Sequence, residues 1–212
     1  MSHESIIFIL GPSGAGKSTL GRWLVDDAGY FHLELDVWAR DGIELAGLGT
    51  EWDCFWNSGD ATPLCQALRK LMQDANRSAM VVTFSSEVCI SRTHLHALCD
   101  NAITPLILFG TKQECLEAFF ERETSTGRNL DSRHWHRHNA SFDQFASEDL
   151  KEFRLLTFDN FRRIERKKLI SEIQQRLGPM TLLQQRLGPM TLPSVPLRKG
   201  PLRKEATGFE CL

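Results

Sequence analysis

Short apolar runs alternate with helix-like patterns from the N-terminus to about residue 177. Five runs have the length and the β-branched or aromatic content of strands: 6–10, 30–36, 80–84, 105–109 and 153–158. Between them, apolar residues recur at the three- and four-residue spacing of amphipathic helices. This alternation predicts a three-layer α/β/α fold, in which helices cover both faces of a five-stranded parallel sheet.

Capping signals mark the start of three helices. Thr62 followed by Pro63 predicts a helix with threonine as its N-cap and proline in the first helical position. Ser91 is the predicted cap of a short helix that runs to residue 98. Thr111 and Glu114 form the sequence pattern of a capping box, which predicts another helix directly after the fourth strand.

Two segments break the regular pattern. Residues 37–60 show no clear hydrophobic period and are predicted to form a loop-like insertion. For its aromatic side chains, local packing is the preferred interpretation over stacking on a ligand; they are Trp38, Trp52, Phe55 and Trp56. Residues 121–139 are polar and are predicted to form a mobile lid. A final helix is predicted over 161–177, ended by a Gly-Pro pair.

A phosphate-binding motif follows the first predicted strand. It matches G-x-x-x-x-G-K-[ST], the P-loop pattern, and a predicted helix begins within it. Strand, glycine-rich loop and helix are the context that such a loop requires. The sequence therefore predicts a P-loop NTPase fold whose nucleotide-binding residues are Gly11, Pro12, Ser13, Gly14, Ala15, Gly16, Lys17, Ser18 and Thr19.

Each residue type in the motif has a physical role. Gly11, Gly14 and Gly16 have no Cβ, so the backbone can turn its N–H groups toward a polyphosphate. The following helix adds unpaired N–H groups and the positive end of its dipole. Lys17 can then reach the β- and γ-phosphates of ATP, and the Ser18 hydroxyl can serve as a Mg²⁺ ligand.

Asp36 ends the second predicted strand and is the next candidate for chemistry. A carboxylate there can orient or deprotonate an acceptor hydroxyl, or hold Mg²⁺ directly or through water. Glu34 lies on the same side of the strand and either shares the metal or faces a polar layer. Ser85 follows the third strand and is expected at the same edge, since parallel α/β sheets bind ligands at the carboxyl ends of their strands.

The predicted lid contains four arginines: Arg122, Arg128, Arg133 and Arg137. A transferring phosphoryl group spreads negative charge over its oxygens, and guanidinium groups stabilise that charge. On a mobile segment they could complete the site when the lid closes and excludes water. Arg128 is the preferred catalytic candidate because Gly127 precedes it, and a solvated surface position is the alternative for each arginine.

Taken together, these motifs resemble the P-loop small-molecule kinases, with shikimate kinase and gluconate kinase as the nearest types. The resemblance covers roughly residues 5–177, and only the P-loop is highly specific. It implies that Asp36 lies beside the acceptor and that Arg122 and Arg128 correspond to lid arginines. The expected activity is transfer of the γ-phosphate of MgATP to a hydroxyl of a small molecule, with Lys17, Asp36 and Arg128 as catalytic residues and Ser18 and Asp36 as metal ligands.

The chain departs from the shikimate kinase pattern in three places. An apolar residue separates the acids of Glu34-Leu35-Asp36, and Ser85-Ser86 stands where shikimate kinases have a run of glycines. Between Asp36 and Ser85, no arginine is well placed to bind a carboxylate. Shikimate is therefore not the expected acceptor, and the acceptor's identity stays open.

Composition narrows the expected partners and compartment. A net charge of -2 and a pI near 6.4 give no basic field of the kind that nucleic-acid binders carry. No apolar stretch has the length of a transmembrane helix, and the first strand begins too early to leave room for a signal peptide. Six scattered cysteines without a C-x-x-C pair favour reduced thiols. The expected protein is cytoplasmic and contacts neither membrane nor nucleic acid.

The C-terminal segment has a different composition. Residues 174–182 recur as 184–192, and Pro-Leu-Arg-Lys occurs at both 196 and 201. Two copies are too few for a solenoid, and such a proline-rich segment lacks the apolar side chains to order itself. We predict a kinase-like domain over 1–178, with a lid at about 121–139, and a disordered tail over 179–212; docking of the tail on a partner is the alternative.

Other interpretations stay open. Residues 111–114 echo the guanine-reading motif T-K-x-D of GTPases, although glutamate replaces the aspartate. A non-catalytic or slowly hydrolysing nucleotide-binding module would carry the same P-loop. His134 and His138 have the spacing of zinc ligands on a helix, but no third ligand follows an obvious pattern, so a position on the lid surface or against substrate is preferred.

Overall fold

A computed structural model describes residues 4–35, 47–84, 90–127 and 132–177, without the side chains of 132–134 and 137. The strands are β1 Ser5–Leu10, β2 Phe31–Leu35, β3 Ala79–Phe84, β4 Ile103–Phe109, β5 Arg154–Leu156, β6 Phe158–Asp159 and β7 Arg162–Arg163. The helices are α1 Lys17–Ala28, α2 Gly49–Ser58, α3 Thr62–Asp74, α4 Arg92–Asp100, α5 Lys112–Ser125, α6 Ser132–Phe145 and α7 Arg166–Leu177. A 3₁₀-helix, Glu148–Phe153, precedes β5.

Five strands form one parallel sheet in the order β2-β3-β1-β4-β5. Ile6 of β1 is aligned with Met80 of β3 on one side and with Ile103 of β4 on the other. Because β1 is central and has neighbours on both sides and both faces, its sequence is apolar without alternation. The predicted five-stranded parallel sheet is confirmed.

The two faces of β1 belong to two hydrophobic clusters. Ile6, Phe8 and Leu10 pack with α2, α3 and α4 on one face. Ile7 and Ile9 pack on the other face with buried side chains of α1, α5 and α7. Burial of one such side chain stabilises the fold by about 1.5–3 kcal/mol. Helices thus cover both faces of the sheet, which confirms the three-layer prediction.

Helix capping agrees with the sequence at two of the three predicted starts. The side chains of Ser91 and Thr111 accept N–H groups of the first turns of α4 and α5, each within a capping box. At α3 the prediction is wrong: Thr62 is the first helical residue and Ala61 is the N-cap. Asp60 Oδ1 accepts the Thr62 N–H at 2.9 Å, so a carboxylate supplies the acceptor that the threonine was expected to provide.

Two other predictions are corrected. Within the segment expected to be loop-like, residues 49–58 form α2, whose Trp52 stacks on Phe84 of β3 with ring centroids 4.5 Å apart. Trp52 and Phe55 are buried, which confirms local packing for these two; Trp38 lies outside the described residues. The last helix begins at Arg166 and not at Phe161, since a β-hairpin occupies 158–163.

Within the described ranges, no helix is both long and apolar enough to cross a membrane. Four cysteines in these ranges are free thiols: Cys54, Cys65, Cys99 and Cys115. The predicted tail, 179–212, and the residues 128–131 of the predicted lid lie outside the described part of the chain.

Candidate active site

The P-loop connects β1 to α1 at the carboxyl edge of the sheet. Gly11 and Gly14 have φ angles of 136° and 82°, in the region that favours glycine. A Cβ on Gly11 would collide with the carbonyl oxygen of Leu108 in β4, and one on Gly14 with the carbonyl oxygen of Cys115 in α5. The loop therefore lies directly against β4 and α5, and only glycine fits at these two positions.

Lys17 is buried and its ammonium is held by the loop itself. Only 7% of the residue is exposed. Its Nζ donates to the carbonyl oxygen of Gly11 at 2.8 Å and to that of Pro12 at 3.3 Å. The loop backbone also forms a turn, in which the Ala15 N–H donates to the Pro12 carbonyl at 3.2 Å. The cation is thus positioned at the loop, where a phosphate group would meet it.

The N-terminus of α1 has the features of an anion-binding site. Gly16 is the N-cap and offers no side-chain cap, and the first turn carries no acidic residue. The first N–H groups of the helix and its dipole can therefore act on an anion bound by the loop. Ser18 lies half-buried in that first turn. Its hydroxyl oxygen is a hard ligand and fits one coordination position of Mg²⁺.

An arginine from the far end of the chain supports the loop. Arg163 of β7 donates from Nη2 to the Gly14 carbonyl at 2.7 Å and from Nη1 to the Ala15 carbonyl at 3.2 Å. Its guanidinium lies over the Phe158 ring, 4.6 Å from the centroid. By binding these two carbonyls, Arg163 fixes the orientation of the planar peptide groups that contain them. Sequence reasoning missed Arg163, because its segment was assigned to the last helix.

Glu114 connects α5 to the same hairpin. Its Oε2 accepts the Thr111 N–H at 2.7 Å, and its Oε1 accepts the Phe161 N–H at 2.9 Å. Burial raises the pKa of this carboxyl, but the hydrogen bonds from the two backbone amides outweigh burial, so the pKa lies below its ordinary value. Both oxygens serve the cap and the hairpin, which explains residues 111–114 without a guanine-reading role.

The described residues of the predicted lid belong to α5 and α6, which contact each other through aromatic rings. Arg122 binds Glu123 within α5, with its Nε and Nη2 at 2.8 and 2.7 Å from Oε1. Its guanidinium lies 5.4 Å from the centroid of the Phe119 ring. His138 of α6 is buried and stacks on Phe119. Its pKa is lowered by burial and by the positive charges of Lys112 and Lys17.

Several predicted residues are not located in the described part of the chain. Asp36, Ser85 and Arg128 lie outside it, as do the side chains of Arg133 and Arg137, so their roles stay predictions. Glu34 is exposed on the edge strand β2. Among the described residues, no group of three or more His, Cys, Asp or Glu side chains could hold a metal ion.

Curated shikimate kinases are similar to part of the chain. No protein-family model matches the chain. Shikimate kinase of Chlorobaculum parvum is 36% identical over 88 residues, which are 42% of this chain and 45% of that protein. Shikimate kinase of Chlorobaculum tepidum is 35% identical over 88 residues, 42% of this chain and 44% of that protein. The chain resembles the P-loop small-molecule kinases of the shikimate kinase type.

The extent of this resemblance is limited. The chain matches less than half of the length of the curated relatives. A solved structure, the tunicamycin resistance protein of Deinococcus radiodurans, superposes with a TM-score of 0.52 at 18% identity and covers 83% of this chain and 96% of that protein. At this identity the likeness concerns the fold alone, and it agrees with the predicted P-loop architecture.

Proposed function

We propose that the protein is an ATP-dependent phosphotransferase that moves the γ-phosphate of MgATP to a hydroxyl group of a small molecule. The observation that carries this proposal is the buried ammonium of Lys17, held at the carboxyl end of β1 by two carbonyl oxygens of a glycine-rich loop. The similarity to shikimate kinases supports a kinase with a hydroxylated acceptor.

The proposed residue roles follow from the charges of the reaction. Lys17 binds the β- and γ-phosphate oxygens and stabilises the charge that moves from one to the other. Asp36 orients the acceptor hydroxyl and accepts its proton, and Arg128 adds a cation when the lid closes. Ser18 and Asp36 would hold Mg²⁺, which neutralises charge on the β- and γ-phosphates.

The proposed acceptor is a small molecule other than shikimate. We infer this from the three departures from the shikimate kinase pattern, which include the absence of a well-placed arginine between Asp36 and Ser85 in the sequence. The net charge of -2 supports neither a nucleic-acid substrate nor an anionic membrane surface as a partner. We propose the cytoplasm as the compartment of the reaction.

Transfer of label from [γ-³²P]ATP tests this function. The protein is incubated with Mg²⁺, labelled ATP and a panel of hydroxy acids and polyols that includes shikimate and gluconate. We expect label on at least one organic acceptor, and no label with Lys17→Ala. The matched control is Lys70→Ala, which removes an exposed lysine from α3 and should transfer label as the unchanged protein does. Equal transfer by Lys17→Ala would contradict the proposal.

A further inference from the structure

His138 of α6 is a buried side chain with two polar ring nitrogens. Only 3% of the residue is exposed. Within the described part of the chain, neither Nδ1 nor Nε2 has a hydrogen-bond partner. Buried polar groups in folded proteins are nearly always paired, and an unpaired one destabilises the fold. A purely structural histidine would be expected to make at least one hydrogen bond, so the ring requires another explanation.

The ring lies one side chain away from the P-loop. It stacks on Phe119 of α5, with centroids 5.3 Å apart and planes inclined by 22°. The backbone nitrogen of Phe119 is 3.0 Å from the position that a Cβ on Gly14 would occupy. The backbone of Phe119 therefore packs against the loop at Gly14, while its ring stacks on His138. The positive charge of Lys17 also acts on the imidazole, which agrees with this placement.

The charges around the ring define its chemistry. Burial and the positive charges of Lys112 and Lys17 lower the pKa of His138, which favours the neutral imidazole. A neutral imidazole has one N–H donor and one acceptor nitrogen. A P-loop binds phosphoryl groups, and their oxygens accept hydrogen bonds. In P-loop proteins the loop backbone cradles the inner phosphates, whereas the lysine reaches the terminal phosphate.

We propose that His138 donates a hydrogen bond to an oxygen of the terminal phosphate of a bound nucleoside triphosphate. The inference rests on the proposed function, since it requires that the P-loop binds a triphosphate. His138 then distinguishes a triphosphate from a diphosphate, because a diphosphate has no terminal group within reach of α6. Among the described residues the polar atoms of the imidazole have no partner, and in this proposal its donor is satisfied only when the triphosphate is bound.

This role predicts opposite effects on stability and on binding. Replacing His138 by leucine removes a buried, unpaired polar group, so the variant should unfold at a higher temperature than the unchanged protein. It should also lose the contact to the terminal phosphate. A histidine needed for packing would behave differently, because its removal would lower the unfolding temperature and leave the preference between nucleotides unchanged.

The experiment compares His138→Leu with the unchanged protein by thermal unfolding and by calorimetric titration. The probes are MgAMPPNP, which has a terminal phosphate that is not hydrolysed, and MgADP, which lacks it. We expect MgAMPPNP affinity to fall about tenfold or more, as for loss of one hydrogen bond to a charged group, with MgADP affinity unchanged. His136→Leu is the matched control, since that histidine is exposed on the same helix, and should change neither affinity.

Two conservative variants identify the ring nitrogen. Asparagine places an amide near the position of Nδ1 and glutamine near that of Nε2, so one of His138→Asn and His138→Gln should recover part of the MgAMPPNP affinity. Equal losses for MgAMPPNP and MgADP, or a lower unfolding temperature without a change in nucleotide preference, would overturn the inference. Failure of the unchanged protein to bind either nucleotide would contradict the proposed function itself.

Discussion

Replacing Glu114 by glutamine tests whether one carboxylate holds the hairpin against the start of α5. The glutamine side chain has nearly the same shape but only one acceptor oxygen. It cannot accept both the Thr111 N–H and the Phe161 N–H, which now lie 2.7 and 2.9 Å from the two carboxylate oxygens. One of these N–H groups would face an amide that donates, and it would lose its partner in a site that is only 7% exposed.

The expected loss is about 2 kcal/mol, the contribution of one hydrogen bond to a charged group. For a chain of this size it lowers Tm by about 4–8 °C. Thermal unfolding followed by circular dichroism measures this change. The control is Glu117→Gln, which changes an exposed residue of α5 that accepts a hydrogen bond from the Gln113 amide. This variant should lower Tm by less than about 2 °C. Equal Tm values for the two variants would refute the reasoning.

The pH dependence provides a second measurement on the same residue. Because the pKa of Glu114 is lowered in the folded protein, its contribution is complete above the pKa of the unfolded chain, about 4.3. That contribution decreases as the pH falls through the lower pKa of the folded state. The difference in Tm between the unchanged protein and Glu114→Gln should therefore be largest at pH 7 and shrink below about pH 4. A difference that grows on acidification would contradict the assigned direction.

Three further variants test the loop and its supports. Gly14→Ala should abolish MgATP binding. Gly59→Ala should lower stability only, because Gly59 has a similar positive φ but no described atom lies within 4 Å of the position of an added Cβ. Titration with MgATP separates the two variants. Arg163→Met should weaken MgATP binding about three- to tenfold, because the Gly14 and Ala15 carbonyls lose their donors. Its control, Arg162→Met, changes the neighbouring exposed arginine and should leave MgATP binding unchanged. Arg128→Ala should lower kcat far more than MgATP affinity, and equal losses would mean that it binds only the ground state.

The fold could be predicted because its main signals are local. The apolar run of β1 followed by the P-loop pattern identifies the central strand, and the capping box at Thr111 identifies the start of α5 within one residue. The strand-and-loop signal and the capping-box signal both depend on side chains and backbone groups that are neighbours in the sequence. Periodicity then suffices to place the remaining strands of the sheet within one or two residues.

The hairpin could not be predicted in the same way. Its turn places Asn160 and Phe161 at φ 49° and 62°, and a phenylalanine rarely adopts that conformation. The sequence offers no glycine there, and the helix predicted over 161–177 includes the second strand of the hairpin. The turn persists because Glu114, 47 residues earlier, accepts the Phe161 N–H. A contact of that sequence separation leaves no local pattern.

The supports of the candidate site are equally distant in sequence. Arg163 reaches a carbonyl 149 residues earlier, at Gly14. His138 occurs in a polar stretch that suggests a solvated surface, and its burial depends on the stack with Phe119 of another helix. Motifs therefore locate the candidate phosphate-binding residues. The residues that contact this loop from elsewhere in the chain become evident only when α5, α6 and the hairpin pack together.

The central claim is that a small hydroxylated molecule accepts phosphate from MgATP at this P-loop. Release of ADP from MgATP, measured with and without fractions of a metabolite extract, tests it most directly. The account predicts that at least one fraction sharply stimulates ADP release by the unchanged protein and leaves Lys17→Ala inactive. Slow release that no fraction changes would contradict a phosphotransferase and favour a nucleotide-binding module.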